Sequence, residues 1–238
     1  MITTILWDVD GTLLNFLAAE KAAIQMLFRE FQLGECTDEM IARYSAINRR
    51  YWEKLERGEI TKAQVLIGRF QEFFISEGLD ASVAESFNEI YQIRLGDTIV
   101  FCDESDRILS SLKNNFRQFA VSNGTVKAQT RKLQRSGLEK VFDEIFLSEQ
   151  IGAEKPSPLF FEKVLESIGP VNKEEILIVG DSLTSDMKGG NNIGIKTCWY
   201  NPGHIVNKTD VHVDWEIEDL HEIYRILETE KINKRQKK

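Results

Sequence analysis

Short apolar runs rich in β-forming residues recur along the chain, and segments with helical periodicity separate most of them. The short runs are Thr3–Trp7, Gln118–Val121, Glu144–Leu147, Ile176–Val179 and Lys196–Trp199. Because buried strands that alternate with helices form a parallel sheet covered on both faces, the pattern predicts an α/β fold.

About a hundred residues separate the first apolar run from the second, and their apolar positions follow mostly a helical period. The predicted helices there are Leu17–Phe31, Asp38–Arg57, Lys62–Glu77 and Ser82–Arg94, with a further helix near Asp103–Lys113. Candidate N-caps precede them and glycines follow them: Thr37, Thr61 and either Ala81 or Ser82, then Gly34, Gly58, Gly78 and Gly96. We therefore expect an α/β core of residues 1–15 and 96–238 and an inserted helical cap of residues 16–95.

The composition is that of an ordinary globular chain of 238 residues, with 42% hydrophobic and 29% charged residues and a net charge of −8. Five basic residues lie in the last eight positions, which we expect to form a frayed, solvated end: Lys231, Lys234, Arg235, Lys237 and Lys238. An acidic body argues against a nucleic-acid polymer as partner. No stretch approaches the roughly 20 apolar residues of a membrane span.

Three cysteines, Cys36, Cys102 and Cys198, lie far apart without a CxxC pair. An odd number at such spacing indicates reduced thiols rather than a disulfide framework or a zinc site. The start of the chain has no basic region before its short apolar run, so we expect no signal peptide and a cytoplasmic location.

Four polar motifs fall at the ends of predicted strands or in the loops that follow, where open parallel sheets bind ligands. In the first, Asp8 and Asp10 are two residues apart and point to the same side, and Gly11 allows a sharp turn. Two close carboxylates repel each other unless a cation neutralises them or one holds a proton. Taken alone, the motif is typical of a solvated turn.

The second motif is Ser122 and Asn123, a hydroxyl and an amide before a helix predicted near Thr125. A helix N-terminus binds anions, although a plain N-cap explains this motif alone equally well. The third is Lys155 before Pro156, which stiffens the turn. A lone lysine is usually a surface charge, but on a rigid loop near carboxylates it would bind phosphate and balance charge.

The fourth motif, GDSLTSD, places Asp181 and Asp186 at the start of a helix, and carboxylates of this kind suit Mg²⁺. The letters GDSL also match a serine-esterase signature, but none of the three histidines has an aspartate three residues before it. An EF-hand loop starting at Asp8 is excluded because its sixth and twelfth positions are Leu13 and Ala19.

Together the four motifs resemble those of the haloacid dehalogenase-like hydrolase superfamily, and the resemblance covers nearly the whole chain. It implies a Rossmann-like parallel sheet with helices on both faces and an inserted all-helical cap. The linking segments look like the bacterial 5′-nucleotidases that act on pyrimidine and non-standard nucleoside monophosphates: Thr130–Gly137, Ser148–Pro158, Asp186–Gly194 and Lys196–Pro202.

The resemblance implies a Mg²⁺-dependent phosphatase in which Asp8 attacks phosphorus and forms an aspartyl-phosphate. Asp10 would protonate the leaving group and then activate water. Mg²⁺ would be bound through Asp8, the main-chain carbonyl of Asp10, and Asp181, with Asp186 orienting the metal or its waters. Ser122, Asn123 and Lys155 would bind the phosphoryl group.

Charge counting agrees with a cation at such a site, because four ionised aspartates and one lysine leave three negative charges. Mg²⁺ would reduce the sum to −1 and a proton on Asp10 would neutralise it, so we expect Asp10 to titrate high. The dehalogenase branch lacks the second aspartate, so Asp10 favours phosphoryl transfer.

Several alternatives remain open from the residues alone. A phosphatase or mutase for small sugar phosphates would share the same site, with the cap selecting the substrate. A phospho-accepting signalling domain also uses aspartates, Mg²⁺ and a lysine, although such domains are about half this length. In the cap, Tyr44, Trp52, Arg69 and Phe70 could contact a base, but packing and surface charge explain each of them at least as well.

Overall fold

The computed structural model describes residues 1–236, in which six parallel strands form one sheet. The strands are β1 (Thr4–Trp7), β2 (Arg117–Ser122), β3 (Glu144–Leu147), β4 (Ile176–Gly180), β5 (Lys196–Tyr200) and β6 (Trp215–Ile217). Their order across the sheet is β3-β2-β1-β4-β5-β6, and every neighbouring pair is parallel. The predicted α/β fold with a parallel sheet is therefore confirmed.

Ten α-helices occur among the described residues. They are α1 (Phe16–Glu30), α2 (Asp38–Glu56), α3 (Lys62–Ser76), α4 (Ala84–Arg94), α5 (Ser105–Leu112), α6 (Val126–Ser136), α7 (Ser148–Ile151), α8 (Pro158–Ile168), α9 (Lys188–Ile193) and α10 (Ile223–Gln236). A π-helical turn, Leu183–Met187, precedes α9.

The central strands are buried because apolar side chains cover both of their faces. Leu6 of β1 belongs to a core cluster with Phe119 of β2, Ile178 of β4 and Phe161 of α8, on one side of the sheet. On the other side, the Gln118 side chain donates a hydrogen bond to the Leu109 carbonyl of α5. Helices on both faces thus explain why the central strands are mostly apolar along their length rather than alternating.

The contacts within the chain define two compact units. The first contains the sheet and comprises Met1–Asn15, Phe101–Val126 and the chain from Ser136 onward. The second is helical and comprises Phe16–Val100 together with Lys127–Arg135 of α6. The helical unit therefore includes part of a helix that the predicted boundaries assign to the core, and the division into core and cap domains stays a prediction.

Aromatic side chains dominate the core of the helical unit. Phe28, Tyr44, Phe70, Phe73, Phe74, Phe87 and Tyr91 are all buried in one cluster. Tyr44 stacks on Phe70 with ring centroids 5.0 Å apart, and edge-to-face contacts connect most of the other rings. The aromatic residues of the insertion are thus mainly its own core, as expected.

The caps of the helical unit agree with the sequence at two of three predicted starts. Thr37 caps α2, and Thr61 forms a reciprocal capping box with Gln64 at the start of α3. The third prediction, Ala81 or Ser82, is wrong because Asp80 accepts from the Ser82 backbone and begins a 3₁₀ turn before α4. The carboxylate one residue earlier is the better acceptor.

The structure differs from the predicted elements at three further places. Gly34, Gly58 and Gly78 have positive φ after their helices, but Gly96 does not. Strand β6 was not predicted, since three residues are too few to give a periodic signal. The basic end is helical through Gln236, whereas Lys237 and Lys238 lie outside the described residues.

Two expectations concern the whole chain. Cys36, Cys102 and Cys198 are free, as expected. Among the described residues, no helix is both long and apolar enough to cross a membrane. The cytoplasmic location stays a prediction.

Candidate active site

Three of the four predicted motifs follow adjacent strands in the middle of the sheet. Asp8 follows β1, Ser122 ends β2, and Asp181 follows β4, and β1 pairs with both of the other strands. The chain runs from β1 to β2 and β3 on one side and then returns to place β4 on the other. Ligands of open parallel sheets bind at the carboxyl ends of strands where the order reverses in this way.

The ammonium group of Lys155 lies at the centre of this region, and the residue as a whole is 1% exposed. Its Nζ donates to Asp8 Oδ1 at 2.8 Å, to Asp186 Oδ1 at 2.6 Å and to the Val121 carbonyl at 2.8 Å. These three bonds use all three of its N–H donors. Burial lowers the pKa of Lys155, but the carboxylates of Asp186 and Asp8 raise it by more, which favours the charged form.

The carboxylate of Asp8 is held at both oxygens. Lys155 donates to Oδ1, and the buried hydroxyl of Thr12 donates to Oδ2 at 3.0 Å. Burial raises the pKa of Asp8 to about 7, with Asp186 adding to the increase and Lys155 opposing it. Thr12 lies inside the first motif, but nothing in its spacing indicated this hydrogen bond.

Three carboxylates converge on one point. Asp8, Asp181 and Asp186 each place one oxygen so that the three oxygens lie within 4.8 Å of one another. Asp8 and Asp186 are buried whereas Asp181 is exposed. With Lys155 the ionised group carries two net negative charges, which a divalent cation would neutralise. The donor set is all oxygen, so these residues fit Mg²⁺.

Two glycines leave room for these carboxylates. A Cβ on Gly11 would lie 2.4 Å from Asp181 Oδ2, and one on Gly180 would lie 2.3 Å from the carboxyl carbon of Asp186. The Asp181 main chain is fixed in turn, because Trp199 Nε1 donates to its carbonyl at 2.9 Å. Gly11 was predicted only as a turn residue, and its closeness to Asp181 is visible only in the fold.

The second motif makes local bonds. The Ser122 hydroxyl accepts from the Gly124 backbone at 3.0 Å, and the first N–H of α6, on Val126, donates to Glu149 at 2.6 Å. A side chain therefore already satisfies one of the helix N-terminal donors that we expected to bind an anion. The side-chain amide of Asn123 donates to the Lys155 carbonyl and accepts from the Lys155 N–H. Phosphoryl binding by Ser122, Asn123 and Lys155 stays a prediction.

Asp10 is partly buried, and its carboxylate is not one of the three that converge. Its backbone forms a bridge with Leu14, and the Gly11 N–H donates to the Leu14 carbonyl at 2.9 Å, so the loop after β1 is tightly folded. The expected roles of Asp10, as proton donor and as a metal ligand through its carbonyl, stay predictions.

Four residues of the predicted cap could contact the base of a nucleotide according to the sequence, and three of them are buried inside the helical unit. Tyr44 and Phe70 are 0% exposed, and Arg69 is 1% exposed. Arg69 donates to Asn48 at 2.8 Å and to Asn88 at 3.1 Å. The packing interpretation is confirmed for these three, and Trp52 is half-buried.

Comparison with known proteins gives relatives over nearly the full length. The model of the haloacid dehalogenase-like hydrolase family matches residues 5–200. HAD-hydrolase YfnB of Bacillus subtilis is 37% identical over 95% of this chain and 96% of its own. Its crystal structure, bound to magnesium, superposes with a TM-score of 0.90 at 36% identity, covering 95% of this chain and 98% of the other.

Two further relatives are nucleotidases by name. Pyrimidine 5′-nucleotidase PynA of Streptococcus pneumoniae is 34% identical, with 94% of both chains covered. Pyrimidine 5′-nucleotidase YjjG of Escherichia coli is 29% identical over 94% of this chain and 96% of its own.

The chain belongs to the haloacid dehalogenase-like hydrolases. It is therefore an enzyme, a hydrolase related to 5′-nucleotidases, and the resemblance read from its motifs is confirmed.

Proposed function

We propose that this enzyme hydrolyses phosphomonoesters with Mg²⁺ through an aspartyl-phosphate on Asp8, and that its substrates are pyrimidine or non-standard nucleoside 5′-monophosphates. The observation that carries the proposal is the convergence of three carboxylates from two strand-end loops around a buried lysine. This arrangement combines a fixed nucleophile with a site for a divalent cation.

Asp8 suits the role of nucleophile because its carboxylate is fixed before substrate arrives. With Lys155 on Oδ1 and Thr12 on Oδ2, the carboxylate cannot rotate freely, which reduces the entropy lost on reaching the reactive geometry. One Asp8 oxygen attacks phosphorus, and the bond to the leaving alkoxide breaks. Lys155 opposes the rise in the pKa of Asp8 that burial causes, and so favours the ionised form that attacks phosphorus.

Asp10 completes the proton transfers. It gives a proton to the leaving alkoxide and then takes one from the water that hydrolyses the acyl phosphate, so that Asp8 is regenerated and inorganic phosphate is released. Mg²⁺, held by Asp8, Asp181, Asp186 and the Asp10 carbonyl, would supply positive charge to a phosphate that the carboxylates otherwise repel.

The relatives support a nucleotide as the substrate. PynA and YjjG carry the name of pyrimidine 5′-nucleotidase, and both align over nearly the whole chain, including the helical unit. Because a phosphatase site of this kind contacts only the phosphoryl group, selection of the base must come from residues outside it.

An initial-rate screen tests the proposal. Phosphate release is measured from UMP, dTMP, purine nucleotides and hexose phosphates at equal concentration, with Mg²⁺ and with a chelator. We expect kcat/KM for UMP or dTMP to exceed that for hexose phosphates, and no turnover with the chelator. Faster hydrolysis of hexose phosphates would overturn the substrate class, and a stable aspartyl-phosphate without turnover would indicate a signalling domain.

A further inference from the structure

The side chain of Asn123 supplies both hydrogen bonds to the backbone of Lys155. Asn123 Oδ1 accepts from the Lys155 N–H at 2.8 Å, and Asn123 Nδ2 donates to the Lys155 carbonyl at 2.9 Å. Lys155 lies in an irregular segment between α7 and α8, where no strand or helix bonds fix its backbone. The amide therefore fixes a loop that regular secondary structure does not.

The same amide also approaches the fourth motif. Asn123 Nδ2 lies 3.4 Å from the hydroxyl of Ser185, which is 3% exposed and directly precedes Asp186. One side chain at the end of β2 thus contacts the loop that carries the lysine and the turn that carries a carboxylate. These are the two sequence segments that meet in the Lys155–Asp186 ion pair, whose atoms are 2.6 Å apart.

We propose that Asn123 is a positioning residue, which places the Lys155 ammonium between Asp8 and Asp186 by fixing the Lys155 backbone. This role rests on the proposed phosphatase function and replaces the direct substrate contact expected from the sequence. The lysine side chain has four rotatable bonds, so its ammonium keeps three fixed acceptors only if its Cα is also fixed. Without Asn123 the loop that carries Lys155 shifts, and Asp8 Oδ1 loses its hydrogen bond from the ammonium group.

The test uses two substitutions with the same local chemistry. Asn123→Ala removes the two backbone bonds to Lys155. Asn191→Ala removes an equivalent pair, since Asn191 Nδ2 donates to the His212 carbonyl at 3.0 Å and Oδ1 accepts from its N–H at 2.9 Å. Both variants lose two side chain–backbone bonds, but only Asn123 is connected to Lys155.

We expect Asn123→Ala to lower kcat by about tenfold to a hundredfold with a smaller change in KM, as is typical when a supporting residue is removed. Asn191→Ala should keep the wild-type kcat. If Asn123→Ala does not fold, Asn123→Asp retains the shape and the acceptor oxygen while losing the donor to the Lys155 carbonyl, and it should lose part of kcat. Wild-type kcat in whichever Asn123 variant folds contradicts the proposal.

A second measurement does not depend on turnover. Lys155 is almost fully buried, so acetic anhydride followed by mass spectrometry should leave it unmodified in the wild type and in Asn191→Ala, and should label it in Asn123→Ala. Equal protection in all three proteins overturns the positioning role. If the wild type hydrolyses no phosphomonoester, the proposed function fails, whereas the labelling result still reports on the Asn123–Lys155 contact.

Discussion

At the scale of single residues, the two oxygens of Asp8 have different partners, Lys155 and Thr12. Asp8→Asn keeps the size of the side chain but replaces the ionised carboxylate that attacks phosphorus, so we predict that kcat falls at least about a thousandfold. Phosphate release from the best substrate measures this. Asp210→Asn, in an exposed loop, is the control and should keep full activity. An active Asp8→Asn enzyme means that the nucleophile is misassigned.

Asp10 gives a prediction that depends on the leaving group. Asp10→Asn cannot protonate the alkoxide, so we expect a loss of about a hundredfold to ten-thousandfold with alkyl phosphates. With p-nitrophenyl phosphate, whose leaving group departs without a proton, the first step should be affected much less. Burst-phase and steady-state rates with both substrates separate the two steps. Equal losses in the first step for both esters would count against an acid role.

A comparison of Gly11 with Gly34 separates the backbone strain of an alanine at positive φ from the steric conflict of its Cβ with Asp181. Gly11 and Gly34 both have φ of +91°, but a Cβ on Gly11 meets Asp181 at 2.4 Å whereas one on Gly34 meets nothing within 4 Å. We predict that Gly11→Ala and Gly34→Ala each lose about 1 kcal/mol of unfolding free energy or more from the backbone. Only Gly11→Ala should also weaken Mg²⁺ binding, which calorimetric titration measures. Equal Mg²⁺ affinity in both variants would contradict the conflict with Asp181.

At the scale of elements, the helices of the helical unit enclose a polar group as well as aromatic rings. Glu20 of α1 accepts from Ser45 and Asn48 of α2, and Asn48 in turn accepts from Arg69 of α3 at 2.8 Å. Burial raises the pKa of Glu20, although the bond from Ser45 and the charge of Arg69 lower it in part. Glu20 therefore binds a proton more readily in the folded state than in the unfolded chain.

The raised pKa of Glu20 makes the free energy of unfolding depend on pH in a definite direction. The contribution of Glu20 is most favourable below its unfolded pKa near 4.5 and is lost as pH rises through the higher folded-state pKa. Glu20→Gln removes this dependence, so the unfolding free energy of the wild type relative to Glu20→Gln should fall between pH 5 and pH 7. Urea unfolding at both pH values measures it. Glu85→Gln, exposed on α4, is the control, and an unchanged difference between wild type and Glu20→Gln would refute the prediction.

At the scale of the whole molecule, cation binding should stabilise the fold. A ligand that binds only the folded state adds about 2.7 kcal/mol at a hundred times its Kd. We therefore predict that Mg²⁺ raises the Tm of the wild type and that Asp181→Asn, which removes the exposed carboxylate of the three, strongly reduces the increase. Thermal unfolding in MgCl₂ is compared with NaCl at equal ionic strength. A full Mg²⁺ effect in Asp181→Asn would place the cation elsewhere.

The order of elements and the chemical character of the site were predictable from the sequence. Five of the six strands and the helices of the insertion gave periodic or apolar signals several residues long, and the caps Thr37 and Thr61 have the required side chains next to their helices. Strand β6 has three residues and takes its place by pairing with β5, so local sequence carried no signal for it.

The sequence by itself determined which residue types stand at the ends of the strands, because composition and local periodicity decide where buried strands stop and polar loops begin. Only the tertiary structure decided that Lys155 bonds to Asp8 and Asp186, that Gly11 makes room for Asp181, and that Asn123 holds a backbone 32 residues away. Such contacts join segments far apart in the chain, and their geometry depends on strand order and packing, which local patterns do not encode.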